Sequence, residues 1–393
     1  MPPLNHDTAA PPAVLVGGAD NAVAAARCLV RQGIRVVTVA EDRSPAHRVR
    51  GVLPARLGTE VTEISIDEWF ASEGQKWSGA VVIPLSDPSL MFHANHYDRL
   101  KESHLPSLIK PEILKAMLDK QTTAELAEKI GIPTPKQWSL SSVADLEMFS
   151  DDVTFPVLIK PRATYELTRR TGRKFLRADT AEEMLAAVTE LVDLPQGIMI
   201  MEFVPGSDAL LSSYYALRQD GQTLGEFTKR VYRRHPLNEG PATIHEMIHL
   251  EATAELGRRF FEGLGLEGIG NVEFKLDERD GQLKLIECNH RITAAAELIQ
   301  RSGVDLVTAV YQQARGEKPE LGPPDRNAWY WYPFGDFKAA RQISPGELLR
   351  WASVPMKRPA LPYLRLSDPG PTVQNTANWA RNFIGRRLSS ESG

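Results

Sequence analysis

The sequence predicts a chain of mixed class, α/β and then α+β, with a parallel sheet at its N-terminus and a mixed sheet near its C-terminus. Three observations predict it. Short apolar runs alternate with helical segments at the start of the chain, the pattern of a parallel sheet covered on both faces. Two Asp-Gly pairs, Asp220-Gly221 and Asp280-Gly281, then punctuate strand-like runs as hairpin turns do. With 393 residues, 42% hydrophobic and 24% charged, the chain is long enough for two or three cores.

The elements follow in order. AVLVGG (13–18) reads as a buried strand, and DNAVAAARCLVRQG as a helix with Asp20 as N-cap and Gly33 as its stop. IRVVTVAED (34–42) and AVVIPLSD (80–87) are further strands, and this first unit runs to about residue 110. PEILKAMLDKQTTAELAEKIG reads as one helix, ended by the prolines of IPTPKQ. FPVLIKP (155–161) and GIMIMEFVPG (197–206) are strands on either side of an amphipathic helix, TAEEMLAAVTELVD. LLSSYYALRQDGQTLGEFTKRV reads as a hairpin, followed by a helix over 246–263. GNVEFKLDERDGQLKLIECNHRIT is a second hairpin, followed by two helical segments. The end carries the aromatic run WYWYPF, which suits packing or a subunit contact, then an amphipathic helix around NTANWARNFIGRR and a disordered tail, RRLSSESG. The units expected are 1–110, 111–203, 204–325 and 326–393.

Composition excludes several classes. A net charge of -4 gives no global basic field for nucleic acid or anionic membranes. No apolar run approaches a membrane span, and the N-terminus lacks the layout of a signal peptide. Two cysteines, Cys28 and Cys288, offer neither a disulfide framework nor zinc spacing, which fits a reducing cytoplasm.

The chemistry concentrates in KLIECNHRIT (284–293). Strand alternation places Glu287, Asn289 and Arg291 on one face and leaves Cys288 and His290 to the core. A three-residue loop, Arg279-Asp280-Gly281, sets Glu273 directly opposite Glu287, whereas a two-residue Asp280-Gly281 turn would put the two acids on opposite faces. The first register is taken. Facing carboxylates weaken a sheet unless a cation lies between them, and Mg²⁺ takes carboxylates, an amide oxygen and phosphates. Arg291 on the same face suits phosphate oxygens. The bland alternative is a solvated hairpin whose wet side alternates acids and bases.

Taken with LDKQTTAELAEKIGIPTP, VLIKP, MEFVPG and NVEF, this order of features resembles the ATP-grasp superfamily. Within it, the sequence resembles the carboxylate–amine ligases of the carbamoyl-phosphate-synthase-like branch, D-aspartate ligase among them. The resemblance covers roughly residues 13–320. It implies an ATP-grasp fold: an N-terminal parallel-sheet domain, a small lid domain and a C-terminal mixed-sheet domain, with ATP between the last two. It further implies Lys120 and Lys160 on the ATP phosphates, and Glu202 with the backbone of Phe203 and Val204 at the adenine. Asp208 would meet the ribose; Glu273, Glu287 and Asn289 would be magnesium ligands, and Arg291 would lie beside the transferring phosphate. FTKRVYRRHP would supply Lys229 or Arg230, only one of which can face the site; Arg233 and Arg234 are expected in solvent. In place of the family's glycine-rich lid loop stands the arginine-rich PRATYELTRRTGRKFLRA.

The implied activity joins a small-molecule carboxylate to an amine through an acyl phosphate, releasing ADP and phosphate. Its cofactors are ATP and Mg²⁺, expected as two ions with Mn²⁺ able to substitute. Neither nucleic acid nor membrane is expected as a partner, and a homodimer is the base-rate assembly. An ATP-dependent carboxylase or carbamoyl-type enzyme of the same superfamily is the nearest alternative. From other classes, an NAD(P)-dependent oxidoreductase is disfavoured because Ala19 and Ala22 break the G-x-G-x-x-G fingerprint. A non-catalytic nucleotide-binding protein would have little use for both acids.

Overall fold

The computed structural model describes residues 10–148, 152–161, 167, 175–193, 197–325 and 327–390. The N-terminal sheet is parallel, with strands β1 (Ala13–Val16), β2 (Val36–Ala40), β3 (Val52–Arg56), β4 (Val81–Pro84) and β5 (Leu105–Pro106) in the order β3-β2-β1-β4-β5. Its central strands are buried along their whole length, because α1 (Asp20–Arg31) covers one face while α2 (Glu63–Ala71) and α3 (Asp87–Ser103) cover the other. The order reverses direction between β1 and β4, which opens a crevice beyond their C-terminal ends. Strand β3, whose residues are half-exposed or exposed, lacks the apolar run by which the sequence reveals its neighbours.

The expected long helix is two. α4 (Pro111–Leu118) stops at Asp119, whose carboxylate caps α5 (Lys120–Lys129) by accepting from the Thr122 N–H at 2.9 Å. Lys120 therefore opens a helix instead of riding in the middle of one.

A second, antiparallel sheet has the order β6-β9-β7-β8, from β6 (Gln137–Leu140), β7 (Val157–Pro161), β8 (Leu176–Ala178) and β9 (Ile198–Glu202). One face packs Val157, Ile159, Ile198 and Ile200 on α6 (Ala181–Leu191). Alternation gives Lys160, Met199 and Met201 to the other face. Most of the arginine-rich segment after Lys160, residues 162–166 and 168–174, lies outside the described residues.

The third sheet runs β14-β13-β10-β11-β12-β15, with β10 (Leu211–Gln219), β11 (Gln222–Arg234), β12 (Ala242–Met247), β13 (Gly268–Asp277), β14 (Gln282–Asn289) and β15 (Trp329–Trp331). The first Asp-Gly turn is as expected: Asp220 (φ 53°) and Gly221 (φ 73°) both take left-handed backbone, joining β10 to β11 by two residues. β12 occupies residues where the helix was expected to begin; that helix, α7 (Glu251–Gly263), starts later and packs Phe260 and Phe261 under the sheet. The other face of the sheet packs against α1, α8 (Ala296–Arg301) and α9 (Leu306–Ala314).

The C-terminal part adds α10 (Pro333–Ile343), α11 (Pro345–Ser353) and α12 (Gly370–Ser390). Much of the expected disordered tail is thus the end of α12; residues 391–393 lie outside the described residues. The aromatic run is packing: Trp329–Trp331 is a buried strand on β12. Arg233 and Arg234, expected in solvent, are both engaged. Arg233 is buried and forks onto Asp336 with two bonds of 2.7 Å, while also reaching Glu347 at 2.5 Å. An arginine ending a strand looks solvated until the C-terminal helices, far away in sequence, bring the acids that cover it. No helix among the described residues is long and apolar enough to cross a membrane.

Candidate active site

Glu273 stands directly opposite Glu287, and Asn271 opposite Asn289. The expected cause is wrong. Asp277 pairs with Gln282, so the loop is four residues, Glu278 to Gly281, and its register alone would carry Glu273 past Glu287. A bulge between Leu285 and Glu287 adds Ile286 to β14 and shifts the pairing by one. The bulge restores the acid pair to one face and turns the strand locally, a device common beside active sites.

The pairing continues across the sheet. Glu287, Glu273, Ser213, Lys229 and Met247 form one row of cross-strand partners, and Asn289, Asn271, Tyr215 and Phe227 form the next. Cross-strand partners share a face, so Lys229 shares the face of the acids. Arg230 lies in the row of Ser212, Phe274 and Glu246, on the opposite face. Lys229 is buried, with Nζ 3.3 Å from His245 Nδ1 and 6.0 Å from the centre of the Tyr215 ring. Burial lowers its pKa, and the charge of Glu273 acts against that shift.

Sequence reasoning passed over Ser213, Asn271 and His245. Each is buried, and among the described residues Ser213 Oγ, Asn271 Oδ1 and His245 Nε2 have no hydrogen-bond partner. Buried polar atoms are normally satisfied; these three lie around one acid–lysine row. The alternation used for Glu273 also reaches Asn271, two residues earlier; no sequence signal pointed to Ser213 or His245.

A cavity of about 1020 Å³ lies along the outer edge of β14. It brings together Lys120, Glu287, Asn289 and Arg291, with Met199 and Met201 from the second sheet. It continues to the C-terminal ends of β1, β2 and β4, where Asp20, Glu41 and Asp87 line it. The β1 and β4 turns meet closely: a Cβ on Gly17 (φ 74°) would lie 2.1 Å from Ser86 Oγ, so the chain needs glycine there. Arg291 is half-buried and holds Asp87 at 3.3 Å.

The other expected ATP contacts are not in the wall of this cavity. Lys160 Nζ is 3.8 Å from Met201 Sδ and 5.7 Å from the centre of the Phe175 ring. The Glu202 carboxylate is held by Arg279 at 2.8 Å and Lys284 at 3.7 Å, and it accepts from the Lys136 N–H at 3.2 Å. The Phe203 N–H donates to Pro156 O, and the Val204 carbonyl accepts from Lys275 Nζ at 2.9 Å. Asp208 is buried, with its carboxylate taken by Arg234 Nε at 2.8 Å and by the Arg234 N–H at 3.1 Å.

The donor set suits a hard divalent cation of Mg²⁺ type. Glu273 and Glu287 face each other with neither in an ion pair among the described residues, and Asn289 adds an amide oxygen one row away. No group of three or more His, Cys, Asp or Glu converges among the described residues. Mg²⁺ is commonly held by one or two carboxylates and by phosphates.

The family described as carbamoyl-phosphate synthase L chain, ATP binding domain, matches residues 229–321, which include Lys229, Glu273 and Glu287. A D-aspartate ligase of Enterococcus faecium is 23% identical over 275 residues, covering 64% of this chain and 62% of that ligase. The multifunctional protein pyr-3 of Neurospora crassa is 22% identical over 270 residues, 67% of this chain and 13% of that protein. The chain thus spans less than two thirds of the length of either relative. Among solved structures, the biotin carboxylase domain of Hydrogenobacter thermophilus 2-oxoglutarate carboxylase, determined with MgADP and bicarbonate, superposes with a TM-score of 0.61 at 18% identity, covering 80% of this chain and 73% of that one.

Proposed function

We propose that this chain, which has the ATP-grasp fold, is an ATP-dependent carboxylate–amine ligase. It would form an amide or peptide-like bond through an acyl phosphate and release ADP and phosphate. The observation that carries the reading is the row Glu287, Glu273, Ser213, Lys229: an acid pair facing along the sheet toward a buried lysine. The likeness to a D-aspartate ligase supports the choice of a carbon–nitrogen bond.

Each residue then has a task. Glu273, Glu287 and Asn289 would hold Mg²⁺, in one or two ions, with Mn²⁺ able to substitute. When bound, the metal neutralises phosphate charge and aligns the terminal phosphoryl group. Lys120, at the first position of its helix on the cavity wall, and Lys160, on the sheet face of Met199 and Met201, would hold phosphates. Lys229 would bring a cation to the phosphoryl group from within the sheet, where low dielectric strengthens it. Arg291 would steady first the phosphoryl group and then the tetrahedral oxyanion. Phosphoryl transfer needs little more than such positioning and charge. Arg230, on the opposite face, has no part in this scheme. We further propose the units 1–110, 111–203, 204–325 and 326–393, a cytoplasmic setting and a homodimer.

The test is ADP release across a panel of small carboxylates with hydroxylamine present to trap acyl phosphates, followed by a panel of amines on each hit. ADP with hydroxamate supports the reading. AMP with pyrophosphate would move the chain to an adenylating class, and bicarbonate as the sole active carboxylate would favour the carboxylase alternative.

A further inference from the structure

Asp20 opens α1 directly after the Gly17-Gly18 turn and lines the cavity. Its Oδ1 accepts from the Asn21 N–H at 3.1 Å and its Oδ2 from the Tyr330 hydroxyl at 3.3 Å. Both donors are neutral, and among the described residues no Lys or Arg is ion-paired with this carboxylate. Asp20 is half-buried at the cavity wall, and a partly desolvated carboxylate without its own cation is costly. Here burial raises its pKa, against the pull of Arg291.

The place of Asp20 is fixed by its neighbour. Buried Asn21 donates from Nδ2 to Leu85 O and to Ile292 O, each at 2.8 Å, and its Oδ1 accepts from the Ala19 N–H at 2.9 Å. Leu85 precedes the turn of Ser86 and Asp87; Ile292 follows Arg291. One side chain therefore ties the turns carrying Asp20, Asp87 and Arg291 to one another.

Resting on the ligase reading above, we infer that the amine substrate binds on the N-terminal side of the cavity with its ammonium on Asp20, and that Asp20 takes the proton before attack. The ammonium gives one proton to the carboxylate, leaving a neutral amine. The nitrogen lone pair forms the C–N bond at the acyl carbon. The C–O bond to phosphate breaks, its electron pair goes to the phosphate, and a second proton of the amine leaves with it. Asp20 then returns its proton to solvent through the cavity. The groups hydrogen-bonded or charge-coupled to Asp20, and Asp87 beside them, cannot replace it. Tyr330 and Tyr363 are held protonated by burial and by the negative charge of Asp20, and Arg291 is a permanent cation. Asp87 is exposed and turned onto Arg291.

Two acceptors separate this step from the rest of the reaction. Hydroxylamine is largely unprotonated at neutral pH and needs no base; ammonia, supplied as ammonium chloride, is largely protonated and does. Asp20→Asn and Asp20→Glu are assayed with ATP, Mg²⁺ and the carboxylate found in the ADP-release screen. Asp20→Asn is expected to lose roughly 10²- to 10⁴-fold in ammonia-dependent amide formation while hydroxamate formation changes little, and Asp20→Glu to recover part of the loss. Equal loss with both acceptors, or no loss with either, overturns the inference. A wild-type protein that forms no hydroxamate with any carboxylate fails at the earlier step and overturns the ligase reading itself.

Discussion

Glu287→Gln should move activity and stability in opposite directions. The substitution keeps the shape of the side chain and removes one charge. Glu287 is exposed and sits opposite Glu273 across a ladder pair, so without metal the two carboxylates repel. Relieving a like-charge cross-strand pair stabilises a sheet by about 0.2–1 kcal/mol. If the pair holds Mg²⁺ as proposed, the same change removes one of its two acidic ligands, and losing a group that stabilises developing phosphate charge costs on the order of 10²–10³ in rate. Thermal melts with and without Mg²⁺ and ATP read the first effect, and ADP release reads the second. The variant should melt at or slightly above the wild-type temperature without ligands, should gain less from Mg²⁺ with ATP, and should release ADP at a small fraction of the wild-type rate. Full activity, or a melt well below wild type, would refute the assignment of the acid pair to a metal.

Other consequences follow from the same geometry. Lys229→Met should lower kcat by about 10²–10³ with the fold intact, whereas Arg230→Met should leave kcat near wild type because Arg230 is on the other face; equal effects in steady-state assays would reverse that assignment. Asp336→Ala leaves Arg233 buried with Glu347 as its remaining acid and strips acceptors from Thr243 and Trp331. It should cost about 3–5 kcal/mol in urea unfolding, and a loss below 1 kcal/mol would contradict the view of this network as the anchor of the C-terminal helices. His93 is fully buried, and burial lowers its pKa to about 4. The unfolded chain, near 6.5, binds the proton first, so stability present above pH 6.5 is lost as pH falls toward 4, by about 3 kcal/mol for this group. His93→Gln should flatten that slope in denaturant titrations between pH 7 and 4.

Much of the fold was legible because its signals are local. Apolar runs reveal β1, β2 and β4, and Asp220-Gly221 announces its hairpin by the left-handed backbone those residues accept. The acid pair was legible in its outcome but not its cause. A bulge at Ile286 leaves no compositional trace, and it offsets a loop one residue longer than the Asp-Gly signal implies. Asp119 was read as a helix interior because its capping bond depends on where the chain turns, not on which residues flank it. Arg233, Asp208 and the orphaned Ser213 and His245 depend on partners brought from distant segments, which no periodicity reveals.

The central claim is that the substrate carboxylate itself attacks the terminal phosphate of ATP. Turnover with an ¹⁸O-labelled carboxylate, followed by mass analysis of the released phosphate, tests it directly. The account predicts that ¹⁸O passes from the carboxylate into inorganic phosphate, with ADP as the nucleotide product. Unlabelled phosphate, or label appearing in AMP, would contradict it.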